Sequence, residues 1–235
     1  FFLQFAGPCN SSCVFCSRGH DYEYFNLSTF KERIEAKIAL PLALAEQFIF
    51  TGSGEFLRLP DWQETLNYFE KKYPYIEKMF STNGSSLRPG VVDLITSHKS
   101  HYLIHVSLHA SNSKLHREIT RTENFADILS QIKYLVERRK ENNNVKINLF
   151  FVATVLNIED LPSFVRLAKK VGVDSVVVNY NYIYVPAQKY LSCYFKQGLT
   201  NQMFEEAKQI ADEMGINIRL PSRFGLNNYP RSGIC

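Results

Sequence analysis

The stretch FFLQFAGPCNSSCVFC, residues 1–16, joins an apolar run to three closely spaced cysteines. Cys9, Cys13 and Cys16 follow the pattern C-x3-C-x2-C, just after Phe1-Phe2-Leu3-Gln4-Phe5. Three thiolates on one short loop can hold three irons of a 4Fe–4S cube and leave the fourth iron open to a ligand. Electron-carrying clusters normally take four cysteines, so the triplet suggests chemistry at the open iron. Two plainer readings stay open. A structural zinc wants four ligands, commonly as two separated C-x2-C pairs. Here the other cysteines, Cys193 and Cys235, lie far downstream, and His20 is the nearest further donor. Disulfides or inert thiols are the other alternative, against which stand an odd total of five cysteines and the absence of a secretory apolar region before them.

Outward from this loop the chain alternates strand and helix patterns. Short apolar runs predict strands over Phe2 to Phe5, Phe48 to Thr51, Lys78 to Ser81, Tyr102 to Leu108, Ile147 to Leu156 and Ser175 to Tyr180, with a seventh over Ile216 to Leu220. Near-continuous apolar strands suit a parallel sheet covered on both faces. Helical stripes fill the gaps. Trp62, Leu66, Phe69 and Tyr73 recur at helical spacing, as do Phe125, Ile128, Leu129, Ile132, Leu135 and Val136. Ser28, Asp160 and Thr200 stand where N-caps belong, Pro41 where a helix ends or bends, Pro162 in a first turn, and Gly215 at a C′ position. Six such β/α units predict an α/β fold, a partial (β/α)6 TIM-like barrel of parallel strands with outer helices. Right-handed crossovers bring all the strand-end loops to one rim, the face that carries chemistry in barrels.

Four further segments sit at those strand ends. They are Thr51-Gly52-Ser53-Gly54-Glu55, Ser81-Thr82-Asn83-Gly84, Val106-Ser107-Leu108-His109-Ala110 with His116 and Arg121 behind it, and Thr154-Val155-Leu156-Asn157. Singly they are ordinary. Gly-Ser-Gly and Asn-Gly are turn signals, and Ser107 and Arg121 read equally well as a surface hydroxyl and a solvated charge.

Together and in this order, the five segments resemble the radical S-adenosylmethionine (radical SAM) superfamily. That family carries C-x3-C-x2-C with an aromatic residue before the last cysteine, here Phe15. Its Gly-Gly-Glu-like motif has Ser53 in place of one glycine, its Thr-Asn-Gly is intact, and its Ser-x-Asp-Gly stretch has His109 and Ala110 in place of Asp and Gly. The resemblance spans about the whole chain. It implies that S-adenosylmethionine (SAM) chelates the open iron of a 4Fe–4S cluster held by Cys9, Cys13 and Cys16. One electron then cleaves SAM to methionine and a 5′-deoxyadenosyl radical, which abstracts hydrogen from a peptide or small-molecule substrate.

The resemblance also implies individual roles. The Phe15 backbone contacts the adenine, Gly52, Ser53, Gly54 and Glu55 approach the methionine amino group, and Asn83 belongs to the same cofactor site. Ser107 and Arg121 serve the SAM ribose and carboxylate, while Val155, Leu156 and Asn157 frame the adenine and ribose. His109 reads as a satisfied interior histidine or, alternatively, as a group reaching the substrate. Tyr180, Tyr182, Tyr184 and Tyr190 are candidates to line a substrate cavity or to be amphipathic surface. The tail, Ile216 to Pro221 and then Gly233-Ile234-Cys235, resembles the approach to a SPASM or twitch extension, in which Cys235 begins the ligation of an auxiliary iron–sulfur cluster. On that reading residues 1–235 are one radical SAM core domain with both ends cut, and 221–235 start the extension. A radical SAM methyltransferase or carbon–carbon bond former is the alternative enzyme, and a non-catalytic iron–sulfur or zinc module the alternative of another class. An electron donor such as flavodoxin or ferredoxin is an implied partner.

Composition bounds the rest. At 235 residues and 45% hydrophobic, the chain can bury one sizeable core. A net charge of +4 with both signs interspersed does not indicate nucleic-acid binding, and Arg138-Arg139-Lys140 sits where a helix end favours cations. No stretch reaches the ~18 apolar residues that suggest a membrane span. A labile cluster and reduced thiols point to the cytoplasm.

Overall fold

A computed structural model describes residues 1–16, 27–141 and 143–225. Seven parallel strands form one sheet in the order β1-β2-β3-β4-β5-β6-β7. They are β1 (Phe2–Ala6), β2 (Gln47–Ser53), β3 (Glu77–Thr82), β4 (Tyr102–Ser107), β5 (Val145–Ala153), β6 (Ser175–Tyr180) and β7 (Asn217–Arg219). Each strand pairs with its successor in sequence, and among the described residues β1 and β7 are the two edges of an open sheet. This is the α/β architecture that the alternating pattern predicts.

The crossovers carry α1 (Leu27–Thr29), α2 (Ala39–Ala43), α3 (Trp62–Lys72), α4 (Pro89–Ser97), α5 (Ser113–Thr120), α6 (Phe125–Arg138), α7 (Leu161–Val171) and α8 (Gln197–Met214). Alternation along β5 shows how the layers divide. Val145, Ile147, Leu149, Phe151 and Ala153 are buried toward the helices, where Phe151 meets Phe164 of α7 at 4.9 Å between ring centroids. Phe150 and Val152, one residue out of phase, face the interior cavity. The predicted stripes Leu66 and Phe69 on α3, and Ile128, Ile132 and Leu135 on α6, are buried in the core. Below the rim, the fully buried Lys78 is held by the Tyr73 carbonyl, the Ser100 hydroxyl and the Glu70 carboxylate. Burial lowers its pKa to about 8.

Local expectations shift wherever a tertiary partner outbids a sequence signal. Ser28 lies inside α1, where it donates to Glu32, and the α1 entry is capped instead by the Asp61 carboxylate, which accepts from Leu27 N at 3.1 Å. Pro41 does not end its segment but sits within α2; the helix breaks earlier, at Glu35–Lys37, a tight 3₁₀ turn. This fits a proline ring that disrupts the carbonyl four residues before it. Asp160 makes no side-chain cap on α7; its carboxylate accepts from Ser111 N and Ser111 Oγ in the loop after β4. Thr200 is buried inside α8, which starts at Gln197 directly from a 3₁₀ turn capped by Ser192. Gly215 is the left-handed C-terminal residue expected of it. The strand expected to run to Leu156 ends at Ala153, because Asn157 Oδ1 accepts from both Thr154 N and Thr154 Oγ1 and curls the chain away. Among the described residues no helix is long and apolar enough to cross a membrane.

Candidate functional site

Parallel register puts the strand ends side by side. Ala6 pairs with Ser53, Thr82 with Val106, Ser107 with Phe150, and Ala153 with Tyr180. The loops that follow therefore share one rim, and a cavity of about 420 Å³ opens there.

The cysteine loop is built onto this rim by backbone. Gly7 N donates to Ser53 O at 2.7 Å and Glu55 N donates to Pro8 O at 3.0 Å, so the ends of β1 and β2 run in contact. Gly54 permits this approach. Its φ is +125°, and a Cβ there would stand 2.2 Å from the Gly7 carbonyl oxygen. The far side of the loop leans on α5, where Ser12 N and Val14 N donate to the carbonyls of Thr120 and Ile119 at 3.1 and 2.9 Å. A last bond, Cys16 N to Cys13 O at 2.9 Å, closes the turn between two of the cysteines.

Side chains complete the frame. Asn83 Nδ2 donates to Asn10 Oδ1 at 2.9 Å and Ser11 Oγ at 3.3 Å, and it lies 3.8 Å from Cys9 Sγ. Ser11 N also donates to that sulfur, at 3.4 Å. Glu55 is buried and ties the ends of β2 and β3 together, accepting from Asn83 N at 2.6 Å and Leu57 N at 3.4 Å. Burial pushes its carboxyl above the ordinary carboxylate range, while bonds from Asn83, Thr82 and Leu57 hold it back. Among the described residues it is the one carboxylate on the cavity wall, which carries no lysine or arginine.

The structure gathers most of the residues singled out in the sequence. Cys9, Cys13 and Cys16 line the cavity together with Phe15, Gly52, Ser53, Gly54, Glu55, Asn83 and Ser107. Four others lie off its wall. Arg121 is exposed and caps α5 in the left-handed conformation, with φ +60°. Val155, Leu156 and Asn157 turn away with the Thr154–Asn157 curl. Leu156 is exposed, and the Asn157 amide is used up on Thr154, the His109 carbonyl and the Val152 carbonyl. The inner faces of β5 and β6 supply Phe150, Val152 and Asn179 in their place, followed by Asn181. The signal for the last two was two asparagines interrupting the apolar run Ser175–Tyr180 and its continuation. Tyr180, Tyr182 and Tyr184 line the cavity, with Tyr182 and Tyr184 open to solvent at its mouth; Tyr190 is exposed outside it. Cys235 and His20 lie outside the described residues, as does the tail after residue 225.

His109 is both interior and cavity-lining. Its Nδ1 accepts from Val152 N at 3.2 Å, and its ring meets Phe15 edge to face at 4.9 Å. The accepting Nδ1 fixes the neutral tautomer with hydrogen on Nε2. Burial, with His116 nearby, lowers its pKa to about 3. Between pH 6.5 and 3 the unfolded chain thus binds a proton that the folded chain refuses. Stability is therefore lost as the pH falls through that window. Acidifying from pH 6.5 to 5 is expected to cost the native protein about 2 kcal/mol more than a His109→Asn variant, at 1.36 kcal/mol per unit. Denaturant titrations at the two pH values check this, and equal slopes for the two proteins would contradict it. Asn tolerates the left-handed backbone that His109 adopts at φ +61°.

The donor set suits a cluster. Cys9, Cys13 and Cys16 all line the cavity from one short loop. A cube needs only one thiolate per iron, whereas structural zinc gathers four ligands on a single ion.

Comparison with known proteins agrees with this geometry. The sequence model of the Radical SAM superfamily matches residues 3–168. Among curated proteins, none matches the chain. Streptococcus suis SuiB bound to S-adenosylmethionine shares the fold at 18% identity and a TM-score of 0.69, over 94% of this chain and 50% of that one. Native anSMEcpe with bound AdoMet and Kp18Cys peptide does so at 16% identity and 0.71, over 93% and 62%. TYW1 with a lysine-pyruvate adduct bound follows at 17% and 0.60, over 87% and 70%. The chain thus spans about half the length of SuiB and less than two thirds of anSMEcpe. With the family match covering more than half of its residues, and its cysteine triplet on the rim of a parallel α/β sheet, the chain belongs to the radical SAM superfamily.

Proposed function

We propose that this protein is a radical SAM enzyme that binds a 4Fe–4S cluster through Cys9, Cys13 and Cys16 and uses SAM to abstract hydrogen from a peptide or small-molecule substrate. The observation that carries this reading is the meeting of the three cysteines with Gly52–Glu55 and Asn83 on one cavity. When bound, cluster and SAM supply the reductive cleavage and the hydrogen abstraction that follows it.

The chain's own residues do the rest. Glu55 and Asn83 fix the ends of β2 and β3 against the cysteine loop. The backbone at Gly52 and Ser53 is the surface offered to the methionine amino group. Phe15, packed on His109, forms the wall offered to the adenine. Phe150 and Val152 give an apolar floor, which presents few competing polar groups near a reactive carbon centre. Ser107, Asn179 and Asn181 offer uncharged hydrogen bonds to a ligand. The exposed Tyr182 and Tyr184 at the mouth suit a peptide, the kind of molecule present in the anSMEcpe structure. An external electron donor such as flavodoxin or ferredoxin and a reducing, cytoplasmic setting complete the proposal. Its extension to the SPASM/twitch branch, with an auxiliary cluster begun at Cys235, rests on the tail sequence alone.

Anaerobic iron and sulfide reconstitution, followed by dithionite and SAM, tests the reading. The expected result is a bound cluster and formation of 5′-deoxyadenosine. Stoichiometric zinc, no cluster and no SAM turnover would overturn it.

A further inference from the structure

Among the described residues β1 and β7 pair on one side only, so the cysteine loop after β1 stands at an open edge of the sheet. The chain reaches this edge after β6. Residues 181–191 pass along the cavity mouth, bearing Tyr182 and Tyr184, and enter a 3₁₀ turn at Pro186–Leu191. At one end Asn181 N donates to Ala153 O at 3.2 Å; at the other, Leu191 O accepts from Val155 N at 3.0 Å. Between these ties the Gln188 amide reaches the cysteine loop. Its Nε2 donates to Val14 O at 3.1 Å and to Cys16 O at 3.3 Å. Both partners are carbonyls, which can only accept, so the orientation of the amide is fixed by chemistry.

These two bonds hold the side of the loop that α5 does not. Val14 N already donates to Ile119 O, and Gln188 takes up the Val14 carbonyl on the other face of the same residue. The second bond holds Cys16, the last of the three cysteines, at its own carbonyl. We propose that Gln188 is a positioning residue of the cluster: it sets the Cys13–Cys16 turn from across the open edge of the sheet and ties that turn to the tyrosine-bearing segment at the cavity mouth. This rests on the assignment of the triplet as a cluster site.

The test compares the wild-type protein with Gln188→Glu and Gln188→Ala after anaerobic reconstitution. Glutamate keeps the shape but sets oxygen against both carbonyls, and alanine removes the side chain. Two hydrogen bonds at ~0.5–1.5 kcal/mol each correspond to roughly 5–150-fold in an equilibrium or rate. Cluster loss to an iron chelator is expected to be at least about tenfold faster in Gln188→Glu. The electron paramagnetic resonance spectrum of the reduced cluster should also change, while the apo-protein melting temperature moves by no more than a few degrees. Unchanged chelation kinetics and an unchanged spectrum in both variants would overturn the proposal. So would a lowered melting temperature with the spectrum intact, which would make the residue merely structural. Failure of the wild-type protein to take up a cluster would instead sink the underlying cluster assignment.

Discussion

Replacing Cys13 with alanine is expected to abolish both cluster uptake and 5′-deoxyadenosine formation while leaving the fold in place. With one thiolate per iron, removing one of three ligands strips a corner of the cube of its tether. The loss should exceed the ~10–100-fold that removal of an outer-shell partner costs. The backbone of the turn is kept, because the Cys13 carbonyl that accepts from Cys16 N is unchanged by alanine. Cys193→Ala is the matching control. That thiol is buried against the core, 3% exposed, and burial pushes it up, away from the thiolate form that metals need. It should lower the melting temperature slightly and leave the iron content unchanged. Iron and sulfide assays on both variants, beside circular dichroism, decide the matter. Full iron in Cys13→Ala would remove the triplet from the site.

Gly54→Ala is expected to damage stability and cluster uptake together. The new methyl group would meet Gly7 O at 2.2 Å and Gly7 C at 2.7 Å, and both are backbone atoms that cannot swing aside. The φ of +125° adds strain of ~1–3 kcal/mol, and overpacking a further ~1–3 kcal/mol. At ~2–4 °C per kcal/mol for a chain of this size, the melting temperature should fall by roughly 4–24 °C. Relief comes by moving Gly7, which carries Pro8 and Cys9 with it. Gly90→Ala is the contrast: nothing lies within 4 Å of its added Cβ, and it should stabilise by ~0.4–1 kcal/mol. Thermal melts of the two variants and their iron contents check the pair. Equal melting temperatures would show that the β1–β2 junction yields where the geometry says it cannot.

The strand pattern was legible because burial on both faces leaves continuous apolar runs, and all seven strands overlap their predicted positions. The cysteine triplet and the glycine motif were legible because their constraints are local: ligand spacing in one case, backbone room in the other. The structure assigns Gly54 a nearer neighbour than a ligand, since its missing side chain makes room for Gly7. What stayed hidden depended on distant partners. Nothing around Asp160 announces that Ser111 will claim its carboxylate, and nothing around Arg121 announces the left-handed turn that leaves it exposed. Asn157 looks like a ligand group at a strand end until its amide is found engaged with Thr154, Val152 and His109. Gln188 sits 172 residues from Cys16 and carries no signature in the sequence.

The strand order, with every strand beside its successor, also has a bearing on synthesis. Such a sheet can grow one unit at a time as the chain emerges, because each new strand needs only the one before it. The cysteine loop does not mature on that schedule. Its thiols are translated early, yet its supports arrive from Ile119 and Thr120 and, last, from Gln188. Iron delivered to the nascent chain would find three exposed sulfurs and no finished cradle. On the proposed assignment, the cradle for a cluster is complete only once Gln188, after the sixth strand, is in place.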